Sequence, residues 1–238
     1  MKKYYVYAGL FVLASTVFVF IFLNMNDRRI TRVSTAEIAE GSYTYDMNPL
    51  YKSETERFMA SEEKADIVML GNSITSQADW SVLLNRNDVL NRGISGDITE
   101  GMLRRLESVI KVKPSMCFLM GGINDITRRV PYEDTLSNLK TIAEILKTNG
   151  ITPVIQSVLY TENRFFSSEY NNPIVKKLNE DLMEFCSENK IDFLDLNRFM
   201  SKDNSLKAEY TDDGLHLNAK GYEVWSKVLN SYLKLSGI

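Results

Sequence analysis

Residues 66–75 read Asp-Ile-Val-Met-Leu-Gly-Asn-Ser-Ile-Thr: an apolar run, a glycine that ends it, and a serine two positions beyond the glycine. A run of this length closed by glycine is a candidate buried strand, and the residues behind it are a candidate helix start. Runs at 88–91, 116–120, 152–158 and 192–196 are likewise short and largely apolar. Between them Leu136, Leu139, Ile142, Ile145 and Leu146 fall on one helical face, as do Val175, Leu178, Leu182 and Phe185, and a last helix is expected over 218–235. Short apolar strands alternating with amphipathic helices predict one α/β domain whose parallel sheet is covered by helices. In such sheets the chemistry sits in the loops beyond the carboxyl ends of the strands.

The composition fits this reading. With 44% hydrophobic, 25% charged and 11% aromatic residues over 238 positions, the chain has globular composition and the length for a sizeable core, which excludes disorder, collagen and coiled coil. Twenty-eight basic side chains oppose thirty-one acidic ones and no long basic stripe occurs, so nucleic acid is not an expected partner. Cys117 and Cys186 are too few for a disulfide framework and have no ligand cluster around them, so both read as buried small hydrophobes.

The amino terminus differs from the rest. Residues 4–23 are apolar apart from Ser15, Thr16 and tyrosine hydroxyls, long enough to span a bilayer, and no small-residue cleavage site comes after them. Residues 1–24 therefore read as an uncleaved anchor, 25–50 as a tether and 51–238 as the folded domain. Lys2 and Lys3 precede the span while Arg28, Arg29 and Arg32 lie beyond it, so the charge rule is divided. Since single amino-terminal anchors mostly export the domain behind them, that domain is expected outside the cytoplasm.

Each strand end holds a candidate group with a bland alternative. Ser73 or Thr75 could simply cap a helix. Residues 91–97, Asn-Arg-Gly-Ile-Ser-Gly-Asp, could be a plain turn or a backbone shaped for a ligand. Asn124, in Gly-Gly-Ile-Asn-Asp over 121–125, could close its own turn or project an amide. His216, the single histidine, lies three residues after Asp213, a spacing that lets a tight turn join carboxylate and imidazole. With no second histidine or nearby thiolate, a metal site there is a poor alternative. No G-x-S-x-G occurs, so the nucleophile elbow of α/β-hydrolases is absent.

Four short motifs in fixed order, 71–74, 91–96, 122–125 and 213–216, resemble the SGNH hydrolases, also called GDSL esterases, with the resemblance running from residue 67 to 229. The resemblance implies a three-layer αβα sandwich with a mostly parallel, flavodoxin-like five-stranded sheet, and no metal or organic cofactor. It makes Ser73 the nucleophile, His216 its base and Asp213 the group that orients the imidazole. The Ser73 and Gly96 backbone N–H groups and the Asn124 amide become the oxyanion hole. Two departures stand out: Asn72 occupies the place of the family's aspartate, and Leu217 comes after the histidine where many members have proline.

The connection at 159–173 carries Tyr160, Arg164, Phe165, Phe166 and Tyr170 and reads either as a pocket wall or as cover for the core edge. Tyr160, Arg164 and Phe165 are the candidate substrate contacts. Arg128 and Arg129 either meet an anionic group or are solvated charge. The expected activity is hydrolysis of a short acyl ester, acetyl above all, of a small-molecule, carbohydrate or envelope-associated substrate. An O-acetyltransferase of the same fold and a silent glycan-binding module are the alternatives.

Overall fold

The computed structural model describes residues 43–165 and 167–237. Five strands form one parallel sheet: β1 (Ile67–Gly71), β2 (Val89–Gly93), β3 (Met116–Met120), β4 (Thr152–Gln156) and β5 (Asp192–Leu194), in the order β2-β1-β3-β4-β5. The first three are in register to their last residues, Gly71 opposite both Gly93 and Met120, so their outgoing loops leave the sheet at one level. Residues 67–70 and 117–119 are wholly inaccessible, as expected of strands covered on both faces.

The helical periods read from the sequence become α1 (Tyr132–Thr148), α2 (Ser168–Asn189) and α3 (Ala219–Ser236). Leu136, Leu139, Ile142 and Leu146 of α1 and Val175, Leu178, Leu182 and Phe185 of α2 are buried, while Ile145 is half-buried. The third helix packs with Trp80–Leu84, and α1 and α2 pack together, giving the two helical layers of a three-layer α/β fold. Trp225 of α3 anchors its layer: its indole N–H donates to Gln156 Oε1 at 2.7 Å and its ring meets Trp80 edge-on at 4.7 Å. The α2 helix begins at Ser168, five residues earlier than the expected end of the connection, with Pro173 inside its second turn. Cys117 and Cys186 are buried free thiols.

The folded unit begins at Tyr43, so residues 43–50 belong to the domain and not to a tether. Tyr45 packs edge-on against Tyr51 at 4.7 Å, and Asn48 is 5% exposed. Among the described residues no helix is long and apolar enough to cross a membrane; the expected span at 4–23 lies outside them.

Just beyond the carboxyl end of β3 lies Asp125, fully buried. It accepts the backbone N–H of Thr99 at 3.0 Å and its hydroxyl at 2.6 Å, tying the loop after β3 to the loop after β2. Burial pushes its carboxyl up from 3.8 to about 6, against the pull of the Thr99 hydrogen bonds. An acid that keeps its proton longer folded than unfolded makes stability fall as pH rises from the unfolded toward the folded value. Asp125→Asn retains one acceptor for Thr99 and does not titrate. Thermal midpoints measured from pH 4 to pH 7 are therefore expected to show the wild type losing ground to the variant as pH rises; a constant gap would contradict this.

Candidate active site

Ser73 opens a four-residue helix, Ser73–Ser76, directly after β1. The cap of that helix is Asn72, whose Oδ1 accepts the Ile74 N–H at 3.0 Å, so neither Ser73 nor Thr75 plays that role. An amide side chain at position 72 thus does the capping that a carboxylate would do. Freed from capping, the Ser73 hydroxyl lies 3.0 Å from His216 Nε2.

The histidine's turn is built from the other end of the chain. An antiparallel bridge between Thr211 and Leu217 closes residues 212–216 into a loop. Leu217, in the place of a proline, is buried in the core. Inside the loop Asp213 Oδ1 accepts the N–H groups of Leu215 at 2.8 Å and His216 at 2.7 Å, while Oδ2 lies 2.6 Å from His216 Nδ1. Partial burial alone raises the Asp213 carboxyl, but the hydrogen bonds from the His216 ring and the two backbone amides outweigh it and bring it down to about 2. The ionised carboxylate can only accept, so Nδ1 carries the proton, and in the neutral imidazole Nε2 is left with the lone pair that faces the serine. Tyr222 of α3 donates to Ile74 O at 2.8 Å, fastening the helix behind this turn to the helix that carries Ser73.

The loops after β2 and β3 complete the surroundings. Asn91 Nδ2 donates to the carbonyls of Thr75 at 3.0 Å and Ala78 at 3.0 Å, while its Oδ1 accepts the Gly93 N–H at 2.8 Å. Asn124 donates from Nδ2 to Asp97 O at 2.7 Å, leaving its second amide hydrogen for another acceptor. The backbone N–H groups of Ser73 and Gly96 have no backbone acceptor among the described residues. Beneath them Arg105, wholly inaccessible, donates to Gly71 O at 3.0 Å, Arg92 O at 2.7 Å and the Asp97 carboxylate at 2.8 Å, joining β1, β2 and the Gly96 loop. This clamp is invisible to motif reading, because Arg105 lies outside all four motifs. No group of three or more metal-ligating side chains occurs among the described residues.

The connection after β4 borders the same turn. Glu162 N–H donates to Gly214 O at 2.8 Å, and Phe165 lies against Gly214, where an added Cβ would stand 2.9 Å from the Phe165 Cβ. Arg164 is exposed and pairs with Glu162 at 2.6 Å. Tyr160, one of the expected substrate contacts, is 8% exposed, as Ser73 is, and packs against the main core. Phe166 lies outside the described residues. Arg129 stacks over the Tyr170 ring at 3.5 Å, and Arg128 over the Tyr43 ring at 4.1 Å.

A family model described as GDSL-like Lipase/Acylhydrolase matches residues 69–224, the stretch holding all of the catalytic candidates. The chain belongs to this family of serine ester hydrolases. It is 29% identical over 161 residues to an N-acylneuraminate cytidylyltransferase of Streptococcus agalactiae, a match covering 68% of this chain but 37% of that protein. It is 23% identical over 181 residues to the isoamyl acetate-hydrolyzing esterase of Saccharomyces cerevisiae, covering 69% of this chain and 74% of that one. Among solved structures, a GDSL-like lipase of Bacteroides thetaiotaomicron is similar at 26% identity and a TM-score of 0.69, covering 78% of this chain and 98% of that chain.

The GDSL-like site needs close approach at Gly93, where an added Cβ would fall 2.4 Å from Ser76 N and 2.9 Å from Asn72 O, both backbone atoms. Gly93→Ala is expected to destabilise the domain by about 1–3 kcal/mol in urea unfolding, as overpacking does. An unchanged midpoint and slope would show that the Ser73 helix can move away freely.

Proposed function

We propose that this chain is a serine esterase that releases short acyl groups, acetyl above all, from a carbohydrate or envelope-associated ester, its domain held outside the cytoplasm by the amino-terminal anchor. One observation carries the reading: Ser73 Oγ, His216 and Asp213 form a single hydrogen-bonded line, 3.0 Å and 2.6 Å at its two joints. Acetyl is supported by the yeast relative, named for hydrolysing isoamyl acetate. A carbohydrate substrate is supported by the streptococcal relative, named for N-acylneuraminate. Cytidylyl transfer is not carried over, since this chain matches 37% of that protein. The anchor rests on the apolar sequence of residues 4–23.

In this mechanism the Ser73 oxygen attacks the acyl carbonyl as its proton passes to His216 Nε2. The carbonyl electrons move onto oxygen, which the Ser73 and Gly96 N–H groups and the free Asn124 amide hydrogen stabilise. Collapse breaks the ester bond, and His216 returns the proton to the departing alcohol. Water, deprotonated by the same ring, then attacks the acyl-serine, and the collapse frees the acid and restores the hydroxyl. Asp213 holds the ring in the tautomer that makes Nε2 basic and stabilises the imidazolium.

Ser73→Ala is expected to abolish turnover of 4-nitrophenyl acetate by the full chain, and wild-type turnover in that variant would remove the nucleophile. Asp213→Asn is expected to lower kcat by about 10³–10⁴-fold, since an amide permits the wrong tautomer. That variant should still unfold in one cooperative transition, and unchanged kcat would defeat the orienting role. With an acetylated sugar, acetate should appear in step with free hydroxyl whether or not a second sugar is present. Acetyl moving to that sugar would replace hydrolysis by O-acetyl transfer.

A further inference from the structure

Residues 43–50, the end of the segment expected to be a tether, reach the site. Asn48 Nδ2 donates to Ser95 O at 3.0 Å. Ser95 C=O and Gly96 N–H belong to one peptide group, and in a trans peptide these two bonds point in opposite directions. Whatever fixes the carbonyl therefore aims the N–H. Gly96 sits at φ +76, a region that glycine occupies as readily as its mirror, so the backbone itself offers little resistance to a flip of this peptide.

The Asn48 amide is in turn oriented. Its Oδ1 accepts the Leu50 N–H at 3.0 Å, which leaves Nδ2 as the atom facing Ser95, and the residue is 5% exposed. The carbonyl on the other side of Gly96 is also held, by Arg128 Nη1, and the Arg128 guanidinium lies over the Tyr43 ring. Both carbonyls flanking the N–H are thus tied, one directly and one through Arg128, to residues 43–50. Those residues precede the family match at 69–224.

We infer that Asn48 is a positioning residue for the oxyanion donor at Gly96: by binding Ser95 O it keeps the Gly96 N–H turned toward the reacting carbonyl. A hydrogen bond to the carbonyl also polarises the same peptide group and strengthens its N–H as a donor. The inference rests on the esterase reading. It adds that this catalytic geometry depends on sequence ahead of the family domain.

The test uses the full chain with 4-nitrophenyl acetate, comparing wild type, Asn48→Ala and Asn48→Asp. The aspartate keeps an acceptor for Leu50 and cannot donate to Ser95, so it separates local folding from the carbonyl contact. Both variants are expected to lower kcat about tenfold, the scale of one hydrogen bond, with KM within about twofold. Wild-type kcat in either folded variant, or a change confined to KM, would overturn the inference. Failure of both variants to fold would make Asn48 a structural cap and overturn it as well. A wild-type chain with no turnover would instead defeat the esterase reading, and the positioning role with it.

Discussion

The hydrogen bond between Ser73 and His216 joins side chains 143 residues apart, and most of the structure's particular features serve to make that distance 3.0 Å. One partner rides at the end of an interior strand, the other on a turn ahead of the last helix. Neither could be held by local structure alone. The Tyr222 contact to Ile74 O, the bridge between Thr211 and Leu217, and the seat of Gly214 on Phe165 each remove one way for the two groups to drift apart.

A second constraint runs beneath the first. Three adjacent strands end at one level, and Arg105, Asp97 and Asp125 tie the loops that leave them into a single polar block. Burying an ion pair gains little net stability over an apolar equivalent, and losing one member of such a pair is expensive. Such a block makes sense where geometry matters more than stability, since preorganised donors aimed at a developing charge are worth most in a dry site. The Arg105 contacts to Gly71 and Arg92 carbonyls fix the backbone on either side of the nucleophile helix.

Much of this was legible in the sequence because it is local. Each strand run, each glycine at a strand end and the three-residue interval from Asp213 to His216 are written in neighbouring residues. Their order matched a family pattern. The helix faces of residues 132–148 and 168–189 came from period alone. What escaped depends on contacts across the chain. That Asn72 caps the helix leaves the Ser73 hydroxyl for a histidine far away in sequence. Residues 43–50 lack a periodic signal, yet Asn48 and Tyr43 are fixed by partners at positions 95 and 128.

The central claim is that the hydroxyl at position 73 is the chain's acyl acceptor. The most direct measurement is peptide mass spectrometry after treatment with a fluorophosphonate, which reports which oxygen has become nucleophilic. One adduct per chain is expected, on Ser73, and none when His216 is replaced by alanine. Labelling of another serine, or labelling of Ser73 that survives loss of the imidazole, would contradict it.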